Sequence, residues 1–205
     1  MNSDLFMAIL AMDSYNRGYN AGIDLGNNSD ASGTQIGNVS ICKTKGDAEA
    51  EAVGFYAIAY EDSWGNVTIS YRGTDILTAT DNGEGSTTGG DIYNGWGVGR
   101  GSPSGAEAAL AFQFYSDVLY SSGVSEDRIT LTGHSLGGGL AGFVADVYRG
   151  DAVIFDNMPF ESAANAAYLE SAVDPDLRTL IYGTQDIWSP SISGIKACPL
   201  VWPDA

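Results

Sequence analysis

The sequence predicts an α/β fold, in which a mostly parallel β-sheet carries helices on both faces. Short apolar strands alternate with helices along residues 105–182, and this alternation is typical of parallel crossover units. A β-hairpin precedes them, with β-branched and aromatic residues in both arms. The length of 205 residues, of which 44% are hydrophobic, suits a single domain spanning residues 1–205.

The first part of the chain is predicted to contain one helix, a long loop and the hairpin. Ser3 caps the helix, whose apolar residues recur at helical spacing until residues 16–18. Residues 18–50 are rich in Gly, Asn, Ser and Thr and are predicted to be a loop with one short strand at 35–42. The hairpin arms are predicted at residues 54–60 and 67–71.

The second part of the chain supplies the crossover units. Helices are predicted at residues 105–122, 136–149 and 161–171, and strands at residues 128–133, 151–155 and 177–182. Residues 76–104, before the first of these helices, show little periodicity and many Gly and Thr. A loop of this length in a compact domain is usually functional or disordered.

Charge and hydropathy exclude several classes of protein. Nine basic against 26 acidic residues give a formal charge of −17, which repels nucleic acids and anionic membrane surfaces. No stretch reaches the ~20 apolar residues of a transmembrane helix. The amino terminus lacks a basic region and contains Asp4 and Asp13, so it is a poor Sec-type signal.

The sequence predicts neither a cofactor nor a metal site. Cys42 and Cys198 are too few for a disulfide framework or a metal centre; a single bond between them and two free thiols both remain open. The loop at 76–104 contains Asp81, Glu84 and Asp91, but without the spacing of a known calcium motif. A structural Ca²⁺ ion there remains open.

Residues 133–137, Gly-His-Ser-Leu-Gly, match the G-x-S-x-G pattern of a serine nucleophile. A predicted strand leads into the pattern and a predicted helix leads out of it, which is the context that the pattern requires. A serine at such a turn has a strained backbone, and a Cβ at Gly133 or Gly137 would collide with its neighbours. We therefore expect Ser135 to be a nucleophile; the alternative is a glycine-rich turn without chemistry, or an anion site.

Two longer segments make the resemblance specific. Tyr-Arg-Gly-Thr-Asp at residues 71–75, followed by Gly-His-Ser-Leu-Gly-Gly-Gly-Leu-Ala at residues 133–141, resembles the class 3 (fungal-type) lipases of the α/β-hydrolase fold. Residues 91–99, with the Ala-rich helix after them, are most similar to bacterial secreted lipases of the RTX-associated type. The resemblance covers residues 54–190 and implies an α/β-hydrolase sheet.

The resemblance also implies an oxyanion hole and a lid. It places Thr74 in the oxyanion hole, where the backbone N–H of Leu136, just after the nucleophile, is the natural second donor. Residues 76–104 lie where the family has its lid, although a plain surface loop remains the alternative. The apolar face of the lid, and with it the substrate contact, would consist of Ile76, Ile92, Tyr93 and Trp96.

A serine nucleophile needs a base and a carboxylate that orients the base. Asp186, after the predicted strand at 177–182, is the first candidate for the acid and matches the family's position; Asp156 is the second. The single histidine, His134, adjoins Ser135 on a tight turn where neighbouring side chains diverge. The residues after Asp186 show no pattern for the family's last strand, base-bearing loop and final helix.

These observations predict that the chain is the amino-terminal part of a longer polypeptide, whose remainder supplies the catalytic histidine as a companion segment. The expected function is a secreted carboxylic ester hydrolase, a lipase or esterase, that acts on acyl esters or lipids. The acidic charge and the poor signal fit export by a non-Sec route, by resemblance only. The alternatives are a phospholipase or acyltransferase using the same residues, and a binding module on a hydrolase fold that has lost its base.

Overall fold

The computed structural model describes residues 3–19, 21–74, 96–171 and 195–198. These residues form a seven-stranded mixed sheet with helices on both faces, so the predicted α/β class is confirmed. The strands lie side by side in the order of the sequence. They are β1 Gln35–Ile36, β2 Val39–Lys45, β3 Ala57–Asp62, β4 Val67–Tyr71, β5 Ile129–His134, β6 Asp151–Phe155 and β7 Ile195–Cys198.

The sheet has an antiparallel half and a parallel half. β1 to β4 form an antiparallel meander, whereas β4 to β7 pair in parallel. Tyr71 pairs with Gly133, and His134 pairs with Phe155. The carboxyl ends of the four parallel strands therefore meet at one edge of the sheet, which is where α/β proteins place their sites.

Six α-helices cover the described part of the sheet: α1 Ser3–Asp13, α2 Ala48–Val53, α3 Trp96–Gly99, α4 Ala106–Ser122, α5 Leu136–Tyr148 and α6 Glu161–Ser171. Alternate residues of β3 separate the two faces, because successive side chains of a strand point to opposite sides. Ala57 and Ala59 belong to the larger core, with α4, α5 and α6. Ile58 and Tyr60 belong to a smaller core with Leu10 of α1.

Most predicted elements are present within a few residues of their predicted bounds, but the predicted loop at 18–50 is more structured than expected. The single strand predicted at 35–42 is a hairpin, because Gly37 turns the chain at φ 60° between β1 and β2. Helix α2 was not predicted. The Asp47 carboxylate caps it by accepting from the Ala50 N–H at 3.1 Å, and Gly54 ends it at φ 83°.

The last described strand also differs from expectation. Ile195–Cys198 forms β7 beside β6, so the expectation of a tail without a strand after Asp186 was wrong. Four residues are too few to show a periodicity, and the strand is defined by its pairing with β6. The strand predicted at 177–182 lies outside the described residues.

Two further expectations concern the cysteines and the membrane. Cys42 and Cys198 are free thiols in β2 and β7. Four strands separate these two, a span of about 24 Å that no disulfide bridges. Among the described residues, no helix has the length and apolar character needed to span a bilayer.

Candidate active site

Ser135 stands at the carboxyl edge of the sheet, between the end of β5 and the start of α5. Its backbone has φ 57° and ψ −121°, a conformation that costs a non-glycine residue about 1–3 kcal/mol. Hydrogen bonds on both flanking peptides hold it there. The Ser135 N–H donates to the Phe155 carbonyl at 3.0 Å. The Ser135 carbonyl accepts from the Gly139 N–H at 3.0 Å and from the Met158 N–H at 2.9 Å.

Both glycines of the motif are required by the space around this turn. A Cβ at Gly133 would lie 2.4 Å from the backbone carbonyl of Gly137. A Cβ at Gly137 would lie 2.1 Å from the carbonyl oxygen of Tyr71, at the end of β4. The collisions expected from the sequence are therefore confirmed at both glycines. At Gly137, the collision would be with the backbone of the neighbouring strand β4.

The Ser135 side chain is half-buried, and its hydroxyl makes no hydrogen bond within the described ranges of the chain. Leu136 begins α5, so its N–H belongs to the first helical turn, whose N–H groups lack intrahelical acceptors. These N–H groups give the helix amino terminus a partial positive charge. Ser135 thus stands at a helix amino terminus, where a negative charge is favoured.

The end of β4 lies directly against this turn. A Cβ at Gly73 would be 2.6 Å from the His134 carbonyl oxygen and 3.4 Å from the Gly137 nitrogen. Thr74 follows Gly73 and is half-buried, so it lies at the same edge of the sheet as Ser135 and Leu136. Ser135, Leu136 and Thr74 therefore all lie at the carboxyl edge of the parallel strands.

His134 lies on the α1 face of the sheet, and its imidazole contacts Tyr15. The Tyr15 hydroxyl is 3.2 Å from Nδ1 of His134 and also donates to the His134 carbonyl at 3.3 Å. The two rings meet edge to face at 5.9 Å. Burial lowers the pKa of His134 below its usual 6.5, and the nearby Asp156 offsets part of that effect.

Of the two candidate acids, the structure describes Asp156 alone. Asp156 follows β6 with φ 43°, its side chain is exposed, and its N–H donates to the Cys198 carbonyl at 3.3 Å. Asp186 lies outside the described residues, as do Ile76, Ile92 and Tyr93 of the expected lid. Trp96 opens helix α3, but its side chain is outside the described set.

The contacts that residues 13–17 make on the α1 face of the sheet were not expected from the sequence. The buried Asp13 carboxylate accepts from Arg17 Nη2 and from the Tyr60 hydroxyl, both at 2.8 Å. Arg17 also donates to the Asn27 carbonyl at 2.9 Å. The sequence signal for the Asp13–Arg17 ion pair is a carboxylate and a guanidinium four residues apart at the end of a predicted helix.

Arg72, within the first segment of the resemblance, is buried. It donates to the carbonyls of Arg17 and Tyr19 at 3.1 Å and 2.8 Å. It therefore ties the amino-terminal segment to the end of β4.

Among the described residues, no group of three or more His, Cys, Asp or Glu side chains is arranged to hold a metal ion. The acidic loop at residues 76–104, where the sequence left a structural Ca²⁺ ion as an open alternative, lies mostly outside the described residues.

Comparisons with known proteins give a structural likeness but no sequence relative. No family model matches the chain, and no curated protein matches it. Among solved structures, the chain is similar to the extracellular lipase LipA from Serratia marcescens, with 21% sequence identity and a TM-score of 0.34. The match covers 65% of this chain and 24% of that lipase, so the matched region is about a quarter of the lipase's length.

Proposed function

We propose that the chain is a serine hydrolase that cleaves carboxylic esters, with Ser135 as its nucleophile. The observation that carries this proposal is the strained Ser135 backbone at φ 57° and ψ −121°. Gly133 and Gly137 flank that position, yet the strained residue itself is a serine and not a glycine, which would relieve the strain. A strain that the fold retains at one serine is typical of a functional position.

In the proposed reaction, Ser135 Oγ attacks the carbonyl carbon of the ester while a base accepts the hydroxyl proton. The Leu136 N–H and Thr74 stabilise the oxyanion of the tetrahedral intermediate. The intermediate collapses to an acyl-enzyme, and the alcohol leaves with the proton returned by the base. Water, activated by the same base, then releases the carboxylic acid and restores Ser135.

The base in this proposal is a histidine from a companion segment outside these 205 residues. The only histidine of the chain, His134, has Tyr15 as its hydrogen-bond partner on the α1 face. We propose Asp186 as the carboxylate that orients the incoming imidazole, with Asp156 as the alternative because it lies at the carboxyl end of the neighbouring strand β6.

The proposed substrate is an acyl ester or a lipid, and the proposed location is extracellular. In this proposal, Ile76, Ile92, Tyr93 and Trp96 form the apolar lid over the acyl chain. The second candidate function is a binding module without catalysis, and the observation that favours it is the lack of a second histidine in the sequence.

Labelling with a fluorophosphonate and acylation by p-nitrophenyl acetate test the proposal, with imidazole added as an external base. We expect both reagents to modify Ser135, with a burst of one p-nitrophenolate per chain. Ser135→Ala should abolish both signals, whereas Ser125→Ala should leave them unchanged, because Ser125 is exposed and lies before the amino end of β5, at the opposite end of that strand from Ser135. An unlabelled Ser135 would instead support the binding module.

A further inference from the structure

Three separate segments meet at the hydroxyl of Tyr15. It lies 3.2 Å from the His134 imidazole and 3.3 Å from the His134 carbonyl oxygen. A Cβ at Gly73 would come within 2.2 Å of the same hydroxyl. The amino-terminal segment, the end of β4 and the end of β5 are therefore packed around one oxygen atom.

The His134 carbonyl needs a donor at this place. The parallel pairing of β4 with β5 ends at Tyr71 and Gly133, so the carbonyl of the next residue lies beyond it. A backbone carbonyl in a protein interior is nearly always hydrogen-bonded, and Tyr15 provides the donor. A carbonyl can only accept, and a hydroxyl has one proton to donate. With that proton on the carbonyl, the imidazole must donate from Nδ1 to the Tyr15 oxygen.

We propose that Tyr15 is a positioning residue for Ser135. Its hydroxyl holds the carbonyl end of the peptide that joins His134 to Ser135, while the Phe155 carbonyl holds the N–H end at 3.0 Å. The strained φ of Ser135 is a rotation measured from this peptide, so fixing its plane fixes the direction of the Ser135 side chain. This role rests on the proposed function of Ser135.

Tyr15 is itself held in place by its neighbours along the chain. Ser14 and Asn16 are buried on either side of it. The Asn16 side chain accepts from the Leu25 N–H at 2.8 Å, and Arg17 pairs with Asp13. A tyrosine between such fixed residues has little freedom to move away from the turn, which a positioning role requires.

The protonation site on His134 gives a test that does not depend on activity. Because the chain has one histidine, its ¹⁵N signals need no assignment by mutation. We expect the neutral imidazole of the wild type to carry its proton on Nδ1. Tyr15→Phe should move most of that proton to Nε2, while its ring still packs on the imidazole. Tyr60→Phe is the matched control, since it removes a buried hydroxyl from the Asp13 network without touching His134. A proton on Nε2 in the wild type would overturn the hydrogen-bond assignment.

The labelling rate of Ser135 tests the positioning role. We expect Tyr15→Phe to lower the fluorophosphonate rate about tenfold relative to Tyr60→Phe, measured below the melting temperatures of both variants. If Tyr60→Phe does not fold, Tyr71→Phe replaces it, because that hydroxyl bonds to Ala111 in the core on the other face of the sheet. Equal rates in the Tyr15 variant and the control would overturn the positioning role alone. A wild type that is not labelled would overturn the proposed function, and the positioning role with it.

Discussion

Replacing Gly137 by alanine places one methyl group between the nucleophile turn and β4. The new Cβ would lie 2.1 Å from the Tyr71 carbonyl oxygen and 2.8 Å from the Arg72 carbonyl carbon. Both atoms are backbone, so no side chain can rotate away. An ordinary contact needs about 3.4 Å, so either the end of β4 or the turn must move by about 1.3 Å.

The magnitude follows from that displacement. Overpacking of this kind costs about 2–3 kcal/mol of unfolding free energy, or about 5–10 °C in melting temperature for a domain of this size. Because the displaced strand end carries Thr74, the labelling rate of Ser135 should fall about a hundredfold. Thermal melts followed by circular dichroism measure the change in melting temperature, and fluorophosphonate labelling in the cold measures the change in rate.

Gly150→Ala is the control for Gly137→Ala. A Cβ at Gly150 meets nothing within 4 Å, and Gly150 does not have a positive φ, so its variant should melt and label like the wild type. A Gly137→Ala variant that also melts and labels like the wild type would contradict the predicted clash with β4. Equal losses of stability in the two alanine variants would contradict it as well.

Two further predictions concern the same turn. Ser135→Gly should abolish labelling yet raise the free energy of unfolding by about 1 kcal/mol in chemical denaturation, because it relieves the strained φ; a loss of stability would count against that strain. Since burial lowers the pKa of His134, the unfolded chain binds more protons there once the pH falls below about 6.5. Between about pH 7.5 and 5.5, the wild type should therefore lose more unfolding free energy than His134→Gln, and equal losses would contradict this account.

The fold was predictable where the pattern of a segment is local. Helices α5 and α6 and strands β5 and β6 were expected almost at their observed bounds, since each has its own apolar periodicity and turn residues. β7 was missed because Ile195–Cys198 has no pattern of its own and becomes a strand by pairing with β6. Helix α2 was missed for a different reason: its six residues have strong helix propensity, but they stand within a glycine-rich stretch that favoured a loop.

The candidate site also contains residues that local sequence predicts and one, Tyr15, that it does not. The placement of Ser135 and Leu136 between a strand and a helix was predictable, because the strand, the glycines of the turn and the helix follow one another in sequence. Thr74 came from the resemblance, and the structure places it at the same edge. Tyr15 was not predictable, since it reaches His134 across 119 residues of sequence and nothing around it indicates that contact. A partner fixed by tertiary packing alone leaves no periodicity for a single sequence to reveal.

Through Tyr15, the amino-terminal segment directly contacts the residue that precedes Ser135. On one face of the sheet, α5 packs so closely on β4 that only glycine fits at 137. On the other face, the Tyr15 hydroxyl bonds to Nδ1 and to the carbonyl of His134. The peptide before Ser135 is thus held from the α1 face, and the peptide after it by α5 and the Met158 N–H. A strained backbone conformation persists when the surrounding structure fixes it from several directions. For Ser135, these contacts come from both faces of the sheet: Tyr15 on one face and α5 on the other.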